Sequence, residues 1–136
     1  MTAELTVLAL AALLHGVQLA LFAVPANREL GIGKTLSPRD PDRLEKPLME
    51  QVSTRTGRLA RAYGNHNEAL LLFAIAVSLV SLAGAATPFT AAMAWTYLVA
   101  RILYVPAYAL GWVPWRTVFF AAAWFASFAM ILATLI

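Results

Sequence analysis

The sequence has no cysteine, few charges and none of the common soluble-enzyme motifs. Without cysteine there is no disulfide framework and no protein thiolate, so any sulfur nucleophile must arrive with a substrate. Charged residues make up 12% of the 136 positions against 61% hydrophobic, which excludes an ordinary soluble domain. A glycine-rich phosphate loop, a nucleophile elbow and a nucleic-acid-binding module are missing, as are internal repeats. His66 has no second ligand at metal spacing, so no metal site is expected. His15 and Gln18 share a helical face with no acid nearby and read as interhelical hydrogen-bond partners.

What the chain does have is long apolar runs. Leu5–Val24 and Thr117–Ile136 are free of charge, and Glu68 is followed by 32 uncharged residues, Ala69–Ala100. A crossing takes about 20 residues, so the last run is too long for one span. The segment GAATPF at 84–89 breaks it, and Thr87-Pro88 reads as an N-cap followed by proline at the first helical position. The pattern predicts an all-α integral membrane protein, a four-transmembrane-helix bundle in one domain over 1–136. Its spans are expected at about 5–24, 59–83, 89–111 and 117–136. The acid in MTAEL and the length of the first run speak against a signal peptide.

Eight of the ten Lys and Arg lie between Arg28 and Arg61. By the positive-inside rule the loop 25–57 faces the cytoplasm and both termini lie outside. Prolines 38, 41 and 47 exclude one continuous helix through that loop, which is expected to be solvated and to face lipid headgroups. Trp112 and Trp115 read as an interfacial belt.

Polar residues inside the predicted helices are spaced for a purpose. Arg58, Arg61, Asn65 and Glu68 fall at i, i+3, i+7 and i+10, within an arc of roughly 80°. Arg101, Tyr104 and Tyr108 form a second polar face, and Pro106 is expected to bend its helix. A charge inside the bilayer costs a few kcal/mol, so these groups should turn inward, with Glu68 and Arg101 as the expected pair. Arginines outnumber that single acid, which implies an anionic ligand. The guanidinium fork suits carboxylates.

The series Arg58, Arg61, Ala62, Asn65, Glu68 and Phe73 resembles the signature of the MAPEG family, the membrane-associated proteins of eicosanoid and glutathione metabolism. The block ARILYVPAYALGWVPWR resembles that family's third helix and the turn into its fourth, and SPRD in the first loop resembles the bacterial branch. The resemblance implies a homotrimer, here in a bacterial inner membrane, with glutathione bound between subunits near the cytoplasmic side. Arg58, Arg61, Asn65, Glu68, Arg101, Tyr104 and Tyr108 would hold the tripeptide, with Arg28 from the first helix. Arg116 matches the arginine that stabilises the glutathione thiolate in the family's enzymes.

The chain departs from the prostaglandin-forming branch at Gly64, where that branch has arginine, and at Tyr104, where it has histidine. Its spacing from Tyr108 to Arg116 differs by one residue from either animal branch. The expected activity is a glutathione-dependent transferase or peroxidase acting on a hydrophobic electrophile or lipid hydroperoxide. The alternative is a non-catalytic membrane lipid-binding or scaffold protein of the same family. A small four-helix cation exporter would carry a glutamate in its first span, which Leu5–Val24 lacks.

Overall fold

In a computed structural model, which describes residues 1–136, the chain is helical with no strand. Four long helices, α1 (Ala3–Leu30), α3 (Thr54–Leu82), α4 (Pro88–Ala109) and α5 (Trp115–Ala133), pack on one another. A short α2 (Ile32–Leu36) and a single 3-10 turn (Leu48–Glu50) lie in the first loop. The helix starts follow local chemistry. The Ser53 hydroxyl accepts from the Thr56 amide at 3.3 Å to open α3. Thr87 and Thr90 exchange bonds in a capping box around Pro88 to open α4. Between them Gly84 takes φ +62°, and the Ala85 amide reaches the Val80 carbonyl at 2.9 Å, closing α3 with a left-handed cap.

The core joins all four long helices through Val7 and Ala11 of α1, Phe73, Ala76, Val77 and Val80 of α3, Ala94 and Tyr97 of α4, and Ala126 and Met130 of α5. Alanine is frequent there because small side chains let helix backbones approach closely where lipid gives no hydrophobic drive. Phe73 and Tyr97 stack at 3.8 Å between centroids, 4° from parallel. The outside carries the large apolar side chains, Leu13, Leu71, Val99 and Phe125 among them.

Three helices, α1, α3 and α5, are long and apolar enough to cross a membrane, and the chain is an integral membrane protein. At 22 residues α4 has the length, but Arg101 and its tyrosines lower its apolarity. Those groups point inward: Thr90, Tyr97, Arg101 and Tyr104 are buried, whereas Trp95, Val99, Ile102 and Leu103 are exposed.

The first loop is shorter and more ordered than 25–57. Helix α1 runs through Pro25, which forfeits only one backbone bond, and ends at Gly31 with φ +83°. Asn27 holds the exit by donating to the Ala23 carbonyl and accepting from the Thr35 hydroxyl. Glu29 then takes three bonds from the start of α3: the Ser53 amide at 2.7 Å, the Ser53 hydroxyl at 2.9 Å and the Thr56 hydroxyl at 2.6 Å. One carboxylate thus closes both ends of the loop.

At the opposite end Glu4, 1% exposed, accepts from the Thr90 hydroxyl at 2.5 Å and joins α1 to α4. In the sequence Glu4 stands out only as an acid near the N-terminus. Leaving a buried acceptor unpaired costs about 1–3 kcal/mol. Thr90→Val should therefore lower the thermal midpoint of the detergent-purified protein, and Thr90→Ser should restore it; equal midpoints for all three would remove this bond from the account of stability.

Candidate functional site

Helix α3 turns Arg58, Arg61 and Asn65 toward α4 and the start of α5. A cavity of about 310 Å³ opens there, lined by Arg61, Asn65, Tyr104, Tyr108, Arg116, Thr117 and Phe120. A second, of about 320 Å³, shares Arg61, Tyr108 and Arg116 with the first and adds Arg58, Gly111 and Trp112. The shared wall is a tyrosine between two cations. Arg61 Nε donates to the Tyr108 hydroxyl at 3.3 Å, its guanidinium lies 6.0 Å from the ring centre, and that of Arg116 lies 5.0 Å away. Such contacts each contribute about 0.5–1 kcal/mol at exposed sites and orient the guanidinium groups. Tyr104 meets Tyr108 edge-on at 5.6 Å.

Behind this wall Arg101 is completely buried. Its Nη1 donates to Asn65 Oδ1 at 3.0 Å and its Nε to His66 Nδ1 at 3.3 Å, while its guanidinium covers the Tyr104 ring at 4.4 Å. Nη2 has no partner. Every group that satisfies Arg101 is neutral, so its charge is buried without a counterion inside this chain. That arrangement is costly unless an anion comes from elsewhere.

The expected Glu68–Arg101 pair does not form. Asn65 and His66, about one turn earlier on α3, take the guanidinium, and Glu68 stays exposed. Glu68 lines a separate cavity of about 200 Å³ with Leu72, Tyr97, Phe120, Trp124 and Ser127, and Phe120 also borders the first cavity. Arg28 sits exposed in the last turn of α1 and lines none of these spaces. Arg58, Arg61, Asn65, Tyr104, Tyr108 and Arg116 are brought together, with Arg101 directly behind them. Of the pair on span one, His15 meets the Tyr63 hydroxyl at 3.0 Å, whereas neither amide atom of Gln18 has a partner.

Two residues of the site escaped sequence reading. In the sequence His66 is notable only for lacking a metal partner; its seat depends on Ala11 of α1, which periodicity along α3 does not reveal. Gly111 lies in the turn between α4 and α5 with φ +71°. A Cβ there would meet Arg58 Nη1 at 2.9 Å and Cζ at 3.2 Å. The bare backbone therefore lets the Arg58 guanidinium lie on the turn, where Nη1 reaches the Ala109 carbonyl at 3.5 Å.

These features define a helical membrane protein with a cationic, tyrosine-walled cavity at one end of its bundle. The MAPEG family model matches residues 5–136, and the chain belongs to that family. Comparison with curated proteins and with solved structures gave no match.

Gly111→Ala should lose stability for two separable reasons, the positive φ and the contact with Arg58. A left-handed non-glycine residue costs about 1–3 kcal/mol. In a double-mutant cycle Arg58→Ala should recover the contact part, giving a coupling of about 0.5 kcal/mol or more. Strict additivity in thermal or denaturant unfolding would show that Arg58 does not rest on this turn.

Proposed function

We propose that the protein is a glutathione-dependent membrane transferase or peroxidase. The observation that carries this reading is the convergence of Arg58, Arg61 and Arg116 on adjoining tyrosine-walled cavities, with Arg101 buried behind them and only neutral groups accepting the hydrogen bonds of Arg58, Arg61 and Arg101. Glutathione supplies two carboxylates and an ionisable thiol, which together answer an excess of fixed positive charge. Membership of the MAPEG family supports the same ligand. Arg58 and Arg61 take the carboxylates, Asn65 and Tyr104 line the inner wall, and Glu68 waits at the edge for the amino group. Arg116 shares the Tyr108 ring with Arg61 and stabilises the thiolate by fixed charge, since a guanidinium is no base at neutral pH.

The thiol proton leaves to water and the thiolate sulfur attacks. With an electrophile a carbon–sulfur bond forms; either the leaving group departs with its bonding electron pair, or the electron pair of the attacked double bond shifts to the neighbouring atom and is protonated by water. With a hydroperoxide the sulfur takes the terminal oxygen, the O–O bond breaks and an alcohol leaves; a second glutathione then reduces the sulfenic acid and becomes half of a disulfide. The second substrate is hydrophobic and enters from the bilayer, where Phe120 separates the polar cavity from the Trp124-lined one.

The assembly is a homotrimer of four-span protomers in a bacterial inner membrane, with the basic loop cytoplasmic and the termini outside. That orientation follows from the eight cations between Arg28 and Arg61. The same reading assigns Arg28, which lines none of these cavities in its own protomer, to the glutathione site of a neighbouring subunit. The non-catalytic alternative, a lipid-binding or scaffold member of the family, would keep the trimer and dispense with thiolate formation.

The test needs no knowledge of the second substrate. Glutathione should bind the purified protein by calorimetry and show the ultraviolet absorbance of a thiolate. Arg61→Ala should weaken binding by roughly 10–100-fold, the loss of a charge-assisted bond. Arg116→Ala should keep binding within about threefold and lose the thiolate absorbance, with turnover of a model aryl halide falling by roughly 100-fold or more, as when one transition-state donor is removed. A folded wild type that binds no glutathione would refute the reading in favour of the scaffold. An Arg116→Ala protein with full turnover would remove that residue from its role.

A further inference from the structure

His66 is fully buried on α3, and both of its ring nitrogens are engaged. A carbonyl oxygen only accepts, so Nε2, 3.2 Å from the Ala11 carbonyl, carries the proton. A guanidinium only donates, so Nδ1, 3.3 Å from Arg101 Nε, is bare. The two contacts leave one possible form, the neutral Nε2–H tautomer. A protonated ring would turn a donor toward a buried donor and place two cations in contact. The other histidine, His15, lies 6.1 Å away between ring centroids and is engaged by Tyr63.

The consequence runs across three helices. Ala11 on α1 holds His66 on α3, His66 holds Arg101 on α4, and Arg101 holds Asn65 and the ring of Tyr104, both of which line the polar cavity. Without the Nδ1 acceptor, Arg101 would have two unpaired N–H edges in the bundle interior, since Nη2 already lacks a partner. It would then turn to find acceptors and carry Tyr104 and Asn65 with it. We propose that His66 is a positioning residue of the thiol site, fixing Arg101, and through it the inner wall of the cavity, by one defined tautomer. The inference rests on the glutathione reading only for the identity of the ligand that the wall receives.

Two substitutions separate positioning from simple filling. The amide oxygen of asparagine can stand where Nδ1 stands, so His66→Asn keeps the acceptor for Arg101 and drops the bond to Ala11. Glutamine reaches the Nε2 position, so His66→Gln keeps the bond to Ala11 and removes the acceptor. His66→Asn should bind glutathione within about threefold of wild type, and His66→Gln roughly tenfold more weakly, the loss of one bond to a charged group. Nitrogen NMR of the histidine-labelled wild type should show a bare Nδ1 and a protonated Nε2, and the Tyr104 ring signals should move in His66→Gln but not in His66→Asn. The reversed tautomer, equal losses in the two variants, or unmoved Tyr104 signals in His66→Gln would each overturn the proposal. If the wild type binds no glutathione the functional reading falls, and the tautomer and the Tyr104 signals still decide the role of His66. If neither variant folds, the wild-type tautomer decides it.

Discussion

The constraint around which this end of the molecule is arranged is the burial of Arg101 with no carboxylate beside it. An isolated charge in a bilayer-embedded bundle demands that every polar atom around it be placed to receive it. Asn65 and His66 accept its hydrogen bonds and Tyr104 offers a ring face. Each of those residues then acquires a fixed position of its own. The tight alanine and Phe73–Tyr97 packing deeper in the bundle keeps α3 and α4 close enough for these contacts to form. At the other end Glu4 and Thr90 pin α1 to α4, and nearer Arg101 the Ala11 carbonyl ties α1 to α3 through His66.

A resident carboxylate would have neutralised Arg101 within the chain. Glu68 is close in sequence and of the right charge, yet it faces the neighbouring cavity and leaves the guanidinium to neutral partners. Neutral acceptors orient a cation without cancelling its field. The field therefore persists into the cavity, where it adds to those of Arg61 and Arg116. Bringing those two cations to the same tyrosine is unfavourable between themselves. The ring quadrupole offsets part of that repulsion, and a bound anion offsets more.

The helical class, the break at 84–89 and the cationic face of α3 were legible because each depends on local pattern: apolar run length, a Thr-Pro cap and a 3.6-residue period. The partner of Arg101 was not legible in the same way. Charge alone selects Glu68, but the choice among Asn65, His66 and Glu68 depends on how far α3 is rotated against α4. That rotation is set by side chains such as Phe73 and Tyr97 elsewhere on the same faces. The seat of Arg58 on Gly111 is likewise a long-range contact, visible only once the α4–α5 turn is placed beside α3. The extension of α1 beyond Pro25 was missed because the side chain of Asn27 and the left-handed Gly31, rather than the proline, define where that helix ends.

The arginines also differ in how free they are, and the difference suits a two-part site. Arg61 and Arg116 are exposed and held mainly by a tyrosine ring, so they can adjust to an incoming anion at small cost in packing. Arg101 has 0% exposure and no such freedom. Exposed cations capture a ligand and raise its local concentration, but they lose side-chain entropy when they close on it. A cation already fixed has lost that entropy on folding, so whatever stabilisation it gives a bound anion is undiminished by ordering. On the proposed function, capture at the mouth would fall to the exposed Arg61 and Arg116, and orientation at the inner wall to the buried Arg101.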